Sequence, residues 1–427
     1  MVTSAVLALV VMVITFIVAL RFLRMPTTLA MVLTAAAGAL AGGYGIPIRR
    51  FAEGSTAYLY FLLIVITAGV FMDVLRESGA LNLLVRDITK RFHRRPFILL
   101  LLIMIVVMFP GAVTGSGTVA VLATGGIVGP VLVGMGIPIL NVAVLVAIAG
   151  VLSLIAPPVN VYAMIMAAGI NLPYSGFFCP LAFVCLVLAT IAAAVYGLRF
   201  VRGPLDVEAV LAKLPQVRAG QSRAAAYIPL IAIIALMVAT RLFPLVMPNI
   251  GLPLIFVIGV LVALACGARV DLWKSFTNTM DLLLPIIGIM TAVGILVQIM
   301  SLTGVKGLFV TAILTLPGFL LYPGLYAVLP FAGTFLAFGA AAVFGLPYMW
   351  ASLGRDPVIA ISGLSLCISL GALIPPTALV GKFAVSSVGY DGEYRTFLRK
   401  CVPPILLINL LGVLAVYFAN SLKFLVR

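Results

Sequence analysis

The chain has 427 residues, of which 64% are hydrophobic and only 9% charged, against about a quarter charged in an ordinary soluble domain. No water-soluble fold hides that much apolar surface, and the apolar runs reach the roughly 20 residues a membrane helix needs. The sequence is that of a polytopic membrane protein, which excludes secreted disulfide scaffolds, nucleic-acid-binding modules and ordinary soluble enzymes. The net charge of +15, from 26 Lys and Arg against 11 Asp and Glu, then reads as basic cytoplasmic loops that set orientation, with no nucleic acid as partner.

In chain order, apolar stretches are expected at about 3–23, 27–45, 57–75, 97–130, 139–168 and 177–198. The first lacks an n-region charge and a cleavage site, so residues 1–20 are expected to remain as a span. The basic run 86–95 follows Leu81-Asn-Leu-Leu-Val85 and fits a helix lying along the cytoplasmic interface. A polar stretch at 199–223 carries seven charges and divides the chain. The series resumes at about 225–243, 250–267, 280–300, 307–347, 357–388 and 402–422.

The two halves align in order. Met25-Pro26 recurs as Met247-Pro248, Phe51 as Phe276, Gly69 as Gly294, and Ser78-Gly79 as Thr303-Gly304. Gly115-Ser116 recurs as Gly333-Thr334, Pro130 as Pro347, Gly136 as Gly354, and Pro157-Pro158 as Pro375-Pro376. The expected fold is therefore an all-α polytopic membrane protein built as an inverted repeat. Residues 1–198 form the first repeat, 199–223 a cytoplasmic linker, and 224–427 the second. If 97–130 and 323–347 are re-entrant hairpins, each half crosses five times, and cytoplasmic loops hold 18 of the 26 basic residues. Both termini are then external.

Two features carry the chemistry. Residues 108–130 (MFPGAVTGSGTVAVLATGGIVGP) are too rich in Gly, Ser and Thr for a lipid-facing helix, since each glycine costs about 1 kcal/mol relative to alanine. Gly115, Ser116 and Gly117 read as a hairpin tip, with Gly125, Gly126 and Gly129 as helix-packing positions. The second feature is the doubled proline inside an apolar stretch, Ile155-Ala-Pro-Pro-Val-Asn160 and again Ile374-Pro-Pro-Thr377. Adjacent prolines remove donors and unwind the helix. The carbonyls freed in hydrocarbon then need a ligand.

Neutral oxygens of this kind suit sodium, and no carboxylate cluster is present for a divalent ion. The expected sodium ligands at the breaks are Ala156, Pro157, Asn160, Ile374, Pro375 and Thr377. Thr118, Asn160, Gln298 and Lys382 are the candidates for contact with an anionic substrate, with snorkelling or pairing to Asp281 as the other reading of Lys382. Asp73 and Asp281 lie near segment ends and read as anchors, not as a proton relay. The five cysteines lack metal-ligand spacing, and the single histidine, His93, makes a His-based metal site implausible. No cofactor is expected beyond sodium as a coupling ion.

The order Thr114-Gly-Ser-Gly117, Gly126-x-x-x-Pro130, Gly136-Ile-Pro138, the first diproline, then Gly371 shortly before Ile374-Pro-Pro resembles the large membrane subunit of TRAP (tripartite ATP-independent periplasmic) transporters. The likeness is strongest over 338–418. Thr118, Val159 and Lys382 depart from the family's usual residues. The resemblance implies an ion-transporter-superfamily fold whose transport domain moves as an elevator against a scaffold. It also implies sodium-driven import of a small organic acid across a bacterial inner membrane. The implied partners are a periplasmic solute-binding protein and a small four-helix membrane subunit. Carried onto this chain, the resemblance adds Gly115, Ser116, Gly117, Gly333 and Thr334 to the sodium ligands, the sites lying between the first tip and the Ala156–Asn160 break and between Gly333-Thr334 and Ile374–Thr377, with the substrate between them. The alternative is a stand-alone sodium- or proton-coupled carboxylate or gluconate-type symporter of the same superfamily. A membrane-embedded enzyme is disfavoured by the scarcity of intramembrane acids and bases. A reporter fused within 199–223 is expected to give a cytoplasmic signal, and an external one would overturn the orientation.

Overall fold

The computed structural model describes residues 2–201, 205–215, 223–243, 250–268, 270–352, 354–375 and 377–426; Pro376 and the Met247-Pro248 pair lie outside them. All regular structure among the described residues is helical, and eight helices are long and apolar enough to cross a membrane. The first half contains α1 (Val2–Arg21), α2 (Thr27–Ala41), α3 (Ile48–Thr56), α4 (Leu59–Glu77), α5 (Ala80–Phe92), α6 (Pro96–Thr114), α7 (Gly117–Gly134), α8 (Ile139–Ile155), α9 (Val161–Gly169) and α10 (Phe178–Ala192). A short α11 (Val207–Lys213) lies in the polar stretch. The second half contains α12 (Arg223–Leu242), α13 (Gly251–Ala265), α14 (Leu272–Leu302), α15 (Val305–Leu314), α16 (Gly318–Leu336), α17 (Leu346–Ala351), α18 (Pro357–Ser369), α19 (Leu379–Val388) and α20 (Tyr394–Tyr417).

The helices fall into two packing groups, each drawn from both halves. One joins α1–α4 to α12–α15, with α2, α3 and α4 all laid on the long α14. The other joins α6–α10 to α16–α20, and its centre is α8 and α18. Every residue from Asn141 to Ile155 is buried in α8, and every residue from Val358 to Ser369 in α18. A helix buried all round must read as continuously apolar, which explains why neither shows a polar face in the sequence.

Local signals set the ends. Gly79 and Gly304 take the left-handed conformation (φ 75° and 78°) at the starts of α5 and α15, so the Ser78-Gly79 and Thr303-Gly304 correspondence is the same tight corner made twice. Asp356 caps α18 by accepting from the Val358 and Ile359 amides, with Pro357 at the first helical position, a favoured N-terminal arrangement. The basic run does fold as a helix, α5. Its Arg86 donates to the carbonyls of Leu211 and Leu214 at the end of α11, so part of the polar linker is docked.

The two hairpins differ from the expected pattern in one respect. The first turns at Gly115 (φ 68°) and Ser116, as read from the sequence. In the second, Gly333 and Thr334 do not form the turn. α16 continues to Leu336, and the chain turns at Ala337 (φ 47°) before a π-turn at Ala341–Gly345 and α17. No glycine follows Thr334 until Gly339, so the helix runs on. In place of the Ser116 and Thr334 pairing read from the sequence, the structure makes Thr114 resemble Thr334: each hydroxyl donates to the carbonyl of a proline four residues earlier, Pro110 (2.8 Å) and Pro330 (3.1 Å). Gly333 serves close packing instead. A methyl group there would stand 2.2 Å from the Ile368 carbonyl oxygen, and one at Gly371 would stand 2.2 Å from the backbone of Gly333.

Gly371→Ala is therefore expected to lower the thermal midpoint of the purified protein, overpacking of this kind costing about 1–3 kcal/mol. Ala378 lies at φ 43°, where an L-residue pays about 1–2 kcal/mol, so Ala378→Gly is expected to shift the midpoint upward. The same sign for both substitutions would contradict the backbone geometry at this junction.

Candidate functional site

The site is built where the first hairpin tip meets the first diproline break and where Gly333 and Thr334, within α16, meet the second. In the first half, α8 stops because the residue before a proline is pushed out of the helical region. Ala156 lies at φ −63°, ψ 137°, and the following Pro157-Pro158 bond is cis. The chain resumes as α9 with Asn160 as its cap. The Asn160 carboxamide oxygen accepts from the Ala163 amide (2.9 Å), while its NH2 donates to the Ile155 carbonyl (3.4 Å) and to Ser365 Oγ on α18 (2.9 Å). The Asn160 amide itself donates to the Tyr174 hydroxyl (3.2 Å). One fully buried side chain thus spans the break, caps the new helix and ties the first half to the second.

The first tip lies directly on this break. The Val159 amide donates to the Ala112 carbonyl (3.0 Å), and a methyl group at Gly115 would meet the side chains of Val161 and Val159. Thr114 accepts from the Ser116 amide (3.3 Å), and Ser116 Oγ accepts from the Val119 amide (3.4 Å), capping α7. Thr114, Ser116 and Gly117 are all buried. The tip is thus enclosed by protein, although both helices it joins are long and apolar enough to cross a membrane.

The second break runs from the 3-10 turn Leu370–Ala372 to Ala378, the left-handed cap of α19. Here Thr377 Oγ1 donates to the Thr334 carbonyl (3.0 Å), and Thr334 Oγ1 also reaches the Gly371 carbonyl (3.4 Å). Among the described residues, no hydrogen bond is made to the carbonyls of Pro157, Pro158, Ile374 or Pro375. The two junctions are joined crosswise. Gly117 and Gly150 pack against Val380 at the start of α19, and Gly125 against Ser387 further along it. Tyr162 of α9 stacks on Phe338 beyond the second tip, with ring centroids 5.1 Å apart.

The structure thus gathers Gly115, Ser116, Gly117, Ala156, Pro157 and Asn160 at one junction, and Gly333, Thr334, Ile374, Pro375 and Thr377 at the other. Thr118 is half-buried in the first turn of α7, and Lys382 is exposed in the first turn of α19. Gln298 is not part of this group. It lies on α14 and donates to Glu53 of α3 (3.0 Å), which Arg49 and Arg50 also hold (2.9 and 3.0 Å). Ser365 and Tyr174 are the residues that sequence reasoning missed, because a serine in a buried helix and a tyrosine in a connector carry no local mark of their role. Among the described residues, no group of three or more His, Cys, Asp or Glu side chains could hold a metal ion.

Residues 50–420 match the family described as DcuC, C4-dicarboxylate anaerobic carrier. The chain belongs to this family. No curated protein matches it in sequence. Two solved transporters share its fold. The YdaH transporter of Alcanivorax borkumensis is 18% identical with a TM-score of 0.55, covering 86% of each chain. The antimetabolite efflux pump MtrF of Neisseria gonorrhoeae is 13% identical with a TM-score of 0.56, covering 88% of this chain and 84% of its own. The DcuC-family chain is thus a multi-pass membrane protein of transporter fold. The family match and these two structures do not confirm the TRAP large-subunit resemblance read from the motifs.

In this DcuC-family chain, Asn160→Ala is expected to cost more than the roughly 1 kcal/mol of a lost helix cap, because the Ile155 carbonyl and Ser365 also lose a donor. Asn160→Asp should restore the cap and not the donors. A double-mutant cycle with Ser365→Ala, read by thermal unfolding, is expected to show about 1 kcal/mol of coupling; additive losses would mean the two side chains do not act together.

Proposed function

We propose that this protein is a stand-alone secondary carrier of C4-dicarboxylates, coupled to sodium, in a bacterial inner membrane. The observation that carries the reading is the family match over residues 50–420, supported by two hairpin-on-break junctions in one buried group. The carrier reading needs neither a periplasmic binding protein nor a small membrane subunit, the partners that the TRAP resemblance implies. It also leaves no enzymatic step to account for.

The proposed mechanism follows from the backbone. At each break, carbonyls without an intrahelical partner point into low-dielectric surroundings, where an orphan polar group is costly. A sodium ion satisfies several at once, so the ion and the closed junction stabilise each other. We place sodium between Ser116 and the Pro157 region, and between Thr334 and the Ile374 to Thr377 region. Asn160 already uses one acceptor site of its oxygen on Ala163 and leaves the other for an ion. The half-helices α9 and α19 both begin at these breaks, and helix N-termini attract carboxylates. A dicarboxylate has two such groups, and the first turn of α19 adds Lys382. The parallel order of elements in the two halves fits an inverted repeat, with the hairpin group moving as an elevator against the group around α14.

Proteoliposomes containing the purified chain alone test the reading. Succinate or fumarate is expected to accumulate against its gradient when sodium is high outside, with no partner protein added. Ser116→Ala and Thr334→Ala are each expected to raise the sodium concentration for half-maximal uptake severalfold. Uptake only on addition of a binding protein would return the assignment to the TRAP type, and accumulation indifferent to sodium would remove the coupling.

A further inference from the structure

A cleft of about 1020 Å³ separates the two packing groups. One wall is α1, from Leu9 to Arg21, with the start of α2 beside it; the opposite wall is α16, with Phe331 and Phe335 facing inward. Apart from Arg21 and three threonines, every lining side chain is apolar. Water does not fill such a space favourably, because apolar cavities of this kind stay dry. In a bilayer, the surrounding material that is apolar along its length and charged at one end is phospholipid.

The dimensions and polarity of the cleft run the same way. From Leu9 to Arg21 the α1 wall spans about 18 Å at 1.5 Å per residue, close to one leaflet of a hydrocarbon core about 30 Å thick. The polar end is defined by Arg21, the last residue of α1, with Thr27 at the start of α2 beside it. Arg21 is exposed and makes no ion pair among the described residues, and Arg24 follows three residues later. Thr377 also lines the cleft, and its hydroxyl holds the Thr334 carbonyl at the second junction.

We propose that this cleft seats an anionic membrane phospholipid, its phosphate at Arg21 and Thr27 and an acyl chain lying between α1 and α16. The lipid then wedges the two packing groups apart, and any sliding of one on the other must displace or carry the chain. Because Thr377 belongs to both the cleft and the second break, occupancy reaches the junction without touching substrate. The inference concerns a lipid site and stands whether or not the transported solute is a dicarboxylate.

The test uses the full chain reconstituted in nanodiscs of equal parts phosphatidylglycerol and phosphatidylcholine, extracted gently into detergent, with retained lipid counted by native mass spectrometry. Wild type is expected to retain phosphatidylglycerol in excess of its bulk share. Arg21→Gln, at an exposed position, is expected to lower that retention about fivefold, the effect of one basic residue near an anionic surface. Ala327→Trp, which puts an indole into the cleft wall, is expected to lower retention of both lipids. Retention in the bulk ratio, or retention unchanged by either substitution, would overturn the proposal. Loss of self-association in Ala327→Trp with lipid retention unchanged would show that a second copy covers the cleft, and would overturn it equally.

Discussion

A backbone that leaves the helix inside apolar protein must find new partners for its amides and carbonyls, and the rest of this fold is arranged around that demand. It arises twice, at Pro157-Pro158 and after Gly371, in the two most deeply buried helices of the molecule. At the first place a hairpin tip is brought up against the break, and at the second it is the body of α16, where Gly333 and Gly371 bring backbone to backbone at distances that only glycine allows. The Val159 amide on the Ala112 carbonyl and the Thr377 hydroxyl on the Thr334 carbonyl are the same solution reached with different atoms. Among the described residues, the carbonyls of Pro157, Pro158, Ile374 and Pro375 remain without a hydrogen bond, and under the proposed function these are the groups a sodium ion would satisfy.

The two junctions nevertheless differ in character. The first is braced by Asn160, whose single side chain makes three hydrogen bonds and links α9 to α18. The second is bridged among the described residues by the shorter Thr334 and Thr377 hydroxyls, and two alanines beside it, Ala337 and Ala378, lie at positive φ. Backbone held in a sparsely populated region is found where surrounding structure over-determines it, commonly at sites that bind or switch. The second junction also borders the apolar cleft through Thr377, whereas the first is enclosed by protein. One junction is thus held by a side-chain brace, and the other passes through positive-φ backbone beside the cleft between the packing groups.

Charged groups are few, and most that are not in loops have structural work. Glu53 gathers Arg49, Arg50 and Gln298 at the contact of α3 with α14, where Gly54 and Gly294 let the two backbones approach. Arg86 closes the end of α11. Arg355, between α17 and α18, lies over the rings of Tyr322 and Tyr417 and donates to the Val416 carbonyl, fastening the second hairpin's exit to α20. In hydrocarbon each such group has to be paired or carried to an edge, which is why composition alone points to so many functional candidates and the structure retains so few.

Much of this was legible in the sequence. Helical spans, the first tip at Gly115 and the break at Pro157-Pro158 all follow from strictly local physics: apolar length, the freedom of glycine at positive φ, and the missing amide of proline. Local physics also marked Asn160 and Thr334 as polar residues in an apolar setting. It could not place the second turn, because Gly333 has two uses for a missing side chain, to turn or to pack, and the choice depends on Ile368 and Gly371 lying opposite. Nor could it separate Gln298 from the junction residues, since its partner Glu53 is 245 positions away. The sequence by itself determined where the chain must break. Only the tertiary structure decided what each break leans against, because a hydrogen bond between distant segments is a property of their packing and leaves no mark in either segment alone.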